Sequence, residues 1–361
     1  MSVPVAHVVG ARPNFMKAAP VIDALAEHQV GQFVIHTGQH YDEKLSKIFF
    51  EDLGLPQPDV NLGVGSASHA AQTAALLEGL EETVLEHEPR VVVVYGDVNS
   101  TLAAALVCAK LMIPLVHVEA GLRSFDRSMP EEVNRVLTDQ VATLLLATSP
   151  EAYGHLANEG IEVDKVRFVG NPMIDTLLQN LDRLEPEAVQ REHELPDRYA
   201  VSTLHRPANV DDPATAKVIV AALKELSEEL TILIPLHPRG REQLEEVGLV
   251  TTDTLRVIEP LGYVDFLSLV RGATLVITDS GGVQEETTIL NIPCLTVRPN
   301  TERPITITHG TNRLVAPEEL AAAAGAILHG DVSFTEQRPP LWDGQAGPRC
   351  AAAIMELVEQ P

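Results

Sequence analysis

Apolar residues along this chain fall into short unbroken runs, separated by longer stretches in which they recur at helical spacing. Val3–Val9, Gln32–Thr37, Arg90–Tyr95, Pro114–Val118 and Thr143–Thr148 are runs of the first kind. They do not alternate apolar with polar, so they are expected to be strands of a parallel sheet buried on both faces. Phe15–Ala26, Tyr41–Leu53, Ala70–Glu86, Thr101–Leu111 and Glu131–Val141 carry apolar residues at a spacing near 3.6 and are expected to be helices. Strand followed by helix, repeated, implies right-handed crossovers and helices on both sides of the sheet.

The pattern restarts after a break. Lys165–Val169 reads as one more short strand, and the stretch after it turns charged, with Pro186 and Pro196 and little apolar content. The connector is therefore placed at Gly170–Pro196. Beyond it, Tyr199–Leu204, Thr231–Leu236, Thr254–Ile258, Thr274–Thr278 and Pro293–Val297 are expected strands, separated by helices such as Asp265–Arg271. Gly347–Glu359 is a last helix whose pattern would suit either half. The fold class expected is α/β, with two doubly wound Rossmann-like domains at residues 1–170 and 171–346. A length of 361 residues agrees with about two domains.

Composition narrows the partners. Hydrophobic residues make up 45% of the chain, enough for sizeable cores. Against 26 basic residues stand 51 acidic ones, a net charge of −25. Such a surface repels nucleic-acid backbones and anionic membranes, so neither is expected as a partner. An anionic ligand would have to be held by a few Arg, Lys or backbone N–H groups set against the general field. Cys108, Cys294 and Cys350 are too far apart for a disulfide framework or a metal-binding spacing. No secretory pattern and no apolar run of about 20 residues is seen, so a cytoplasmic protein is expected.

In open parallel sheets, ligands sit at the carboxyl ends of the strands. In the first half those ends carry Gly10-Ala11-Arg12-Pro13 with Lys17, then Gly38-Gln39-His40, Gly96-Asp97, and His117, Glu119 and Arg123 followed by Glu131, Glu132 and Arg135. In the second half they carry His205-Arg206, His237-Pro238-Arg239, Glu259–Tyr263, Asp279-Ser280-Gly281-Gly282 ahead of Glu286, and Thr301–Pro304. Small residues opening a helix suit an anion, and Arg12 and Lys17 would add cationic donors at such a place. Each residue alone has a structural alternative. A strand-end histidine often serves as a hydrogen-bonder, Arg12 and Arg123 could make salt bridges, and Glu131–Glu132 could complement a helix dipole. Their collection at one edge of each sheet favours function.

Several chemistries are excluded. Gly63-Val64-Gly65 lacks the third glycine and preceding strand of a dinucleotide fingerprint. No phosphate loop and no Gly-x-Ser-x-Gly elbow occurs. His117 and Glu119 share one face of a strand without a clear third ligand, so neither a metal nor any other cofactor is expected.

At these residues the chain resembles the non-hydrolysing UDP-N-acetylglucosamine 2-epimerases. The resemblance lies in Gly10-Ala-Arg-Pro13 with Lys17, Gly96-Asp97, His117-Val-Glu-Ala-Gly-Leu-Arg123, Met129-Pro-Glu-Glu-Val-Asn-Arg135, Leu204-His-Arg206, Thr278-Asp-Ser-Gly-Gly-Val-Gln-Glu-Glu286 and Thr301-Glu-Arg-Pro304. It runs in order over about residues 5–350. It implies a glycosyltransferase-B-like fold with the active site in a cleft between domains, and a last helix (347–361) that returns to the first domain. The implied reaction interconverts UDP-GlcNAc and UDP-ManNAc by eliminating UDP to a 2-acetamidoglucal and adding it back, feeding cell-surface polysaccharide synthesis. By the same resemblance Asp97, Glu119, Glu131 and His205 form the catalytic set, with the acid and base roles open among the carboxylates. Arg12, Lys17, His205, Ser280, Gly281 and Gly282 would hold the phosphates. Leu261, Phe266 and Glu286 would meet uracil and ribose, Arg303 would lie near the sugar or phosphates, and Arg123 and His237 complete the substrate-binding set. A homodimer is implied by analogy alone.

Three other functions fit less well. The same chemistry on UDP-2,3-diacetamido-2,3-dideoxyglucuronic acid shares several motifs, but Thr301-Glu-Arg-Pro304 and Gln284-Glu-Glu286 suit the GlcNAc enzymes better. A UDP-sugar glycosyltransferase or a non-catalytic sensor would not need Asp97, Glu119 and Glu131 together. Some family members are activated by a second UDP-GlcNAc bound through a Gln-His-x-x-Gln stretch. Here Gln39-His40-Tyr41-Asp42 ends in Asp. We therefore predict little or no activator requirement: progress curves with UDP-ManNAc should start without a lag. A pronounced lag abolished by trace UDP-GlcNAc would overturn this.

Overall fold

The unbroken apolar runs do become buried parallel strands. A computed structural model describes residues 4–38, 56–236, 238–335 and 337–359. The expected helix Tyr41–Leu53 and the Gln39–Asp42 stretch lie outside these residues. The chain forms two units, Met1–Gln179 with Pro340–Pro361, and Asn180–Pro339.

The first unit runs β1 (Val5–Val9), α1 (Arg12–Glu27), β2 (Gln32–His36), β3 (Val60–Asn61), α2 (His69–His87), β4 (Val91–Tyr95) and α3 (Asn99–Leu111). It continues through β5 (Leu115–Ala120), α4 (Pro130–Val141), β6 (Leu144–Ala147), α5 (Glu151–Asn158), β7 (Val166–Phe168) and α6 (Pro172–Gln179). Its seven strands lie in the order β3-β2-β1-β4-β5-β6-β7, and every pairing is parallel. Val91–Val94 are wholly buried at the centre, as strands covered on both faces require.

The second unit carries α7 (Pro186–Glu192), β8 (Tyr199–Thr203), α8 (Pro207–Val210), α9 (Pro213–Leu226), β9 (Thr231–Pro235), α10 (Pro238–Glu246) and β10 (Leu255–Ile258). It continues with α11 (Tyr263–Gly272), β11 (Leu275–Thr278), α12 (Gly281–Leu290), β12 (Cys294–Val297), α13 (Ile305–Thr308), β13 (Asn312–Val315) and α14 (Leu320–Leu328). Its strand order, β10-β9-β8-β11-β12-β13, repeats the first and is again parallel throughout. In each sheet the chain starts in the middle, builds outward one way, then returns to build the other way. The reversal falls between β1 and β4, and between β8 and β11. There the adjoining crossovers leave on opposite faces, which opens a crevice at the carboxyl ends.

Two strands and three helices differ from the sequence reading, α7 being one of them because it lies in the expected connector. β3 is two residues long, β13 is partly exposed, and α5 was not foreseen. Residues 172–179, placed in the connector, form α6, which buries Met173, Ile174 and Leu177 against α1. Pro20 explains part of that docking. A proline inside a helix leaves the carbonyl four residues earlier without its usual donor. That carbonyl, Met16 O, instead accepts from the Thr176 hydroxyl at 2.6 Å.

α15 (Ala346–Val358) also packs on α1. Its first turn is tied down by Asp175, whose carboxylate accepts from the Gly347 N–H at 2.7 Å. A Cβ at Gly347 would stand 2.4 Å from the Pro20 carbonyl oxygen and 2.8 Å from its carbon. Backbone on both sides leaves no soft way out. Gly347→Ala should therefore cost about 1–3 kcal/mol of stability, as overpacked cores do; urea unfolding of the intact protein would check it, and an unchanged midpoint would refute the close approach.

Candidate active site

β1 and β4 deliver their chain ends side by side. Asn14 fastens them: its Oδ1 accepts from Gly10 N at 3.1 Å and Ala11 N at 3.0 Å, and its Nδ2 donates to Tyr95 O at 2.7 Å. One turn along α1, buried Lys17 pairs with buried Glu119. Glu119 sits in β5 with φ at 76°, where pairing to β6 slips between Val118 and Ala120. A left-handed φ is strained for a residue with a Cβ, and a bulge of this kind re-aims a side chain. Gly96, at φ 65°, lies directly beneath: a Cβ there would be 3.1 Å from both Glu119 Oε2 and Lys17 Nζ. Lys17, Glu119 and the Gly96–Asp97 turn thus converge.

Asp97, partly exposed, is ion-paired with Arg135 of α4. Arg135 in turn donates to Glu132 at 2.6 Å, and Glu132 accepts from Ser124 N, the Ser124 hydroxyl and Phe125 N, each at 2.9 Å. Asn134 Nδ2 donates to Asp97 O at 2.9 Å. Glu131 opens the same helix and is exposed. α4 is inverted relative to an ordinary surface helix: it buries Glu132, Asn134, Arg135, Thr138 and Asp139 and leaves Leu137 44% exposed.

Arg123, expected at the substrate, is buried and turned inward. It donates through Nε to Glu159 at 2.8 Å, through Nη1 to Leu122 O at 2.7 Å, and through Nη2 to Glu159 at 2.7 Å, with Asp139 also 2.7 Å from Nη2. Its visible work is to tie the chain after β5 to α4 and to the end of α5. His117 places its two ring nitrogens on Asp139 and on Gly96 O, at 2.6 and 2.8 Å. Arg12 opens α1, but its side chain, like His237, lies outside the described structure.

In the second unit β8 and β11 end at His205 and Asp279. The Asp279 carboxylate is wholly buried and gathers His205 Nδ1 at 2.8 Å, His205 N, Arg206 N at 3.0 Å and Asn209 Nδ2 at 3.1 Å. Burial opposes its charge, but these donors outweigh burial and hold its pKa below the ordinary value. His205 is thereby oriented, with its side chain 62% exposed. A cavity of about 310 Å³ opens beside it, lined by Thr203, Leu204, Pro207, Pro235 and Gln243 among others.

Ser280 precedes α12, and Gly281 and Gly282 are its first residues. A Cβ at Gly281 would come within 2.4 Å of Arg303 Nη1, so glycine lets the guanidinium lie over the helix start. Arg206, Arg298 and Arg303 here meet the carboxylates of Glu285 and Glu302. Guanidinium groups gathered beside a helix N-terminus suit an anion. Glu286, further along α12, is buried, and its pKa is pushed up to about 8 by burial, then by the charge of Glu285, against the Tyr263 hydroxyl. Leu261 and Phe266 pack half-buried against the core containing Val201, Leu233 and Val283.

Sequence reasoning had not assigned site roles to Asn14, Asn134, Arg135, Asp139 or Asp279. Arg135 was detectable, since it lies three residues after Glu132 on a helix, a spacing at which side chains meet. Asp139 had no such signal.

Comparison with known proteins agrees with this geometry. Residues 23–355 match the family model described as UDP-N-acetylglucosamine 2-epimerase. A UDP-N-acetylglucosamine 2-epimerase of Methanocaldococcus jannaschii is 44% identical over 95% of this chain and 96% of its own length. A UDP-2,3-diacetamido-2,3-dideoxy-D-glucuronate 2-epimerase of Pseudomonas aeruginosa is 42% identical over 97% and 99%. The crystal structure of the M. jannaschii UDP-GlcNAc 2-epimerase in complex with UDP-GlcNAc and UDP superposes with a TM-score of 0.91 at 42% identity, covering 98% of this chain and 99% of that one. The glycosyltransferase-B-like, two-domain α/β fold is the one the sequence resemblance implied.

Glu286 generates a pH prediction. In the unfolded chain it ionises near its ordinary 4.5, but in the folded protein only near 8. Its stabilising share is therefore full below about pH 4.5, falls as pH rises through that window, and levels off above about 8. Relative to wild type, Glu286→Gln should gain on the order of a few kcal/mol between about pH 5 and 8. Urea unfolding of the free protein at both pH values would measure it; parallel pH profiles for the two proteins would contradict the buried, protonated carboxyl.

Proposed function

The chain belongs to the UDP-N-acetylglucosamine 2-epimerase family, and from that premise we propose that it reversibly inverts C2 of UDP-GlcNAc to give UDP-ManNAc. The C2 proton is not acidic, so direct removal would be too slow. Elimination avoids the difficulty: a base takes the C2 proton, the C1–O bond to UDP breaks with its electron pair leaving on the phosphate, and a C1=C2 double bond forms. Return of UDP to C1 with a proton delivered to the other face of C2 completes the inversion.

Those steps need an acid and a base with separate environments and a held leaving group. The observation that carries the proposal is the convergence of Glu119, paired with Lys17, and Asp97, paired with Arg135, at the reversal of the first sheet. Glu119 faces Lys17, and Asp97 faces Arg135, which also pairs with Glu132, so positive charge stands against each carboxylate. Glu131, exposed at the start of α4, is the third candidate. In the second unit the guanidinium groups gathered at the start of α12, with His205, suit a departing diphosphate, and Glu286 with Phe266 and Leu261 suits ribose and base. The same chemistry on UDP-2,3-diacetamido-2,3-dideoxyglucuronate is the second reading, favoured by the 42% identity to the Pseudomonas enzyme.

Incubation with UDP-GlcNAc in deuterated water tests the proposal. UDP-ManNAc carrying deuterium at C2 is expected, and Asp97→Asn or Glu131→Gln should lower turnover by about 10²–10⁴-fold while UDP still binds. Exchange only with the diacetamido sugar selects the second reading. Turnover only with an acceptor, binding without exchange, or release of free ManNAc and UDP would each refute it.

A further inference from the structure

His117 is fully buried in β5, two residues before Glu119, and the acid–base set leaves it without a task. Its surroundings are specific. Nε2 lies 2.8 Å from Gly96 O and Nδ1 lies 2.6 Å from Asp139 Oδ1. A carbonyl oxygen can only accept, so Nε2 must carry a proton. The Asp139 carboxylate also meets Arg123 Nη2 at 2.7 Å and Gly121 N at 3.1 Å. Asp139 thus grips the other ring nitrogen and fixes the ring's orientation, with Nε2 aimed at Gly96 O.

The bond to Gly96 matters because the next residue in the chain is Asp97. Gly96 adopts φ 65° and has the widest conformational range of any residue, so the peptide joining it to Asp97 can rotate unless it is pinned. β5 pins it at both ends: Gly96 N donates to Val118 O at 3.1 Å, and Gly96 O accepts from His117. α4 then holds Asp97 itself, through Asn134 to Asp97 O and Arg135 to the Asp97 carboxylate. We propose that His117, its ring held by Asp139, is a positioning residue that fixes the Gly96–Asp97 peptide and so aims the Asp97 carboxylate. This rests on the acid–base role given to Asp97 above.

Two substitutions separate positioning from simple structural support. An Asn amide reaches where Nδ1 stands, and a Gln amide reaches where Nε2 stands. His117→Asn should keep the Asp139 contact and the melting temperature but lose the donor to Gly96. Its kcat should fall by about 10²-fold, as a misplaced catalytic group does, with KM for UDP-GlcNAc within about threefold. His117→Gln should recover kcat to within about tenfold of wild type. A folded His117→Asn variant with wild-type kcat, or two variants whose kcat falls only in step with melting temperature, would overturn the proposal. Should either variant fail to fold, long-range ¹H–¹⁵N spectra of the wild type decide: a proton on His117 Nε2 is expected, and an unprotonated Nε2 refutes it. If the wild type itself shows no exchange at C2, the epimerase reading fails; if it turns over and His117→Asn matches it, only the positioning role fails.

Discussion

A carboxylate taken out of water must meet a cation or an array of donors, and the polar groups at both strand-end edges obey this constraint. Asp139 gathers His117, Arg123 and Gly121 N; Asp279 gathers His205, Arg206 N and Asn209; Glu132 gathers Ser124, Phe125 N and Arg135. In a chain with 51 acidic and 26 basic residues, cations are the scarce component. Buried Lys17, Arg123, Arg135, Arg298 and Arg303 all stand at these edges. Apolar residues of equal size often give equal or greater stability than a buried ion pair. Placement of charge, rather than stability, is therefore what such pairs explain.

The two units use that constraint differently. In the first, Lys17 meets Glu119, and Arg135 is shared between Asp97 and buried Glu132. In the second, Arg206, Arg298 and Arg303 gather on Glu285 and Glu302 beside the start of α12, which adds its own positive end. The first arrangement sets carboxylates against cations; the second gathers guanidinium groups where an anion is favoured. Glu286 extends the contrast, because its neighbours leave it protonated in the free protein near neutral pH, able to donate as well as accept.

The sheets were legible because their strands are unbroken apolar runs, and the edge where function collects came from parallel topology. What escaped was whatever depended on facing. The apolar spacing of Val133, Val136, Leu137 and Val141 correctly marked a helix but did not show that α4 buries Glu132, Arg135 and Asp139. Arg123 stood in a strongly patterned block and looked like a ligand to substrate, yet it spends its donors on Glu159, Asp139 and Leu122 O. No spacing rule could reveal this, because its partners are 16 and 36 positions away in the chain. β3 and β13 escaped for another reason: edge strands are short and partly exposed, so neither length nor apolar content sets them apart.

Two left-handed residues, Gly96 and Glu119, lie in contact at the heart of the first unit, and they are not equivalent. For glycine that conformation is nearly free; for glutamate it costs on the order of 1–3 kcal/mol and persists only when its surroundings insist on it. The bulge in β5 and the ion pair to Lys17 are the surroundings that insist. An unstrained Glu119 would keep the regular alternation of β5, and the slip in pairing to β6 would be lost. The strain thus turns a strand residue into a group poised over the Gly96–Asp97 turn. His117, one bond network below, supplies the opposite service: it removes freedom from a glycine that has too much. A strained residue held out and a flexible one held still are complementary ways of placing two carboxylates, and both are anchored in the same strand.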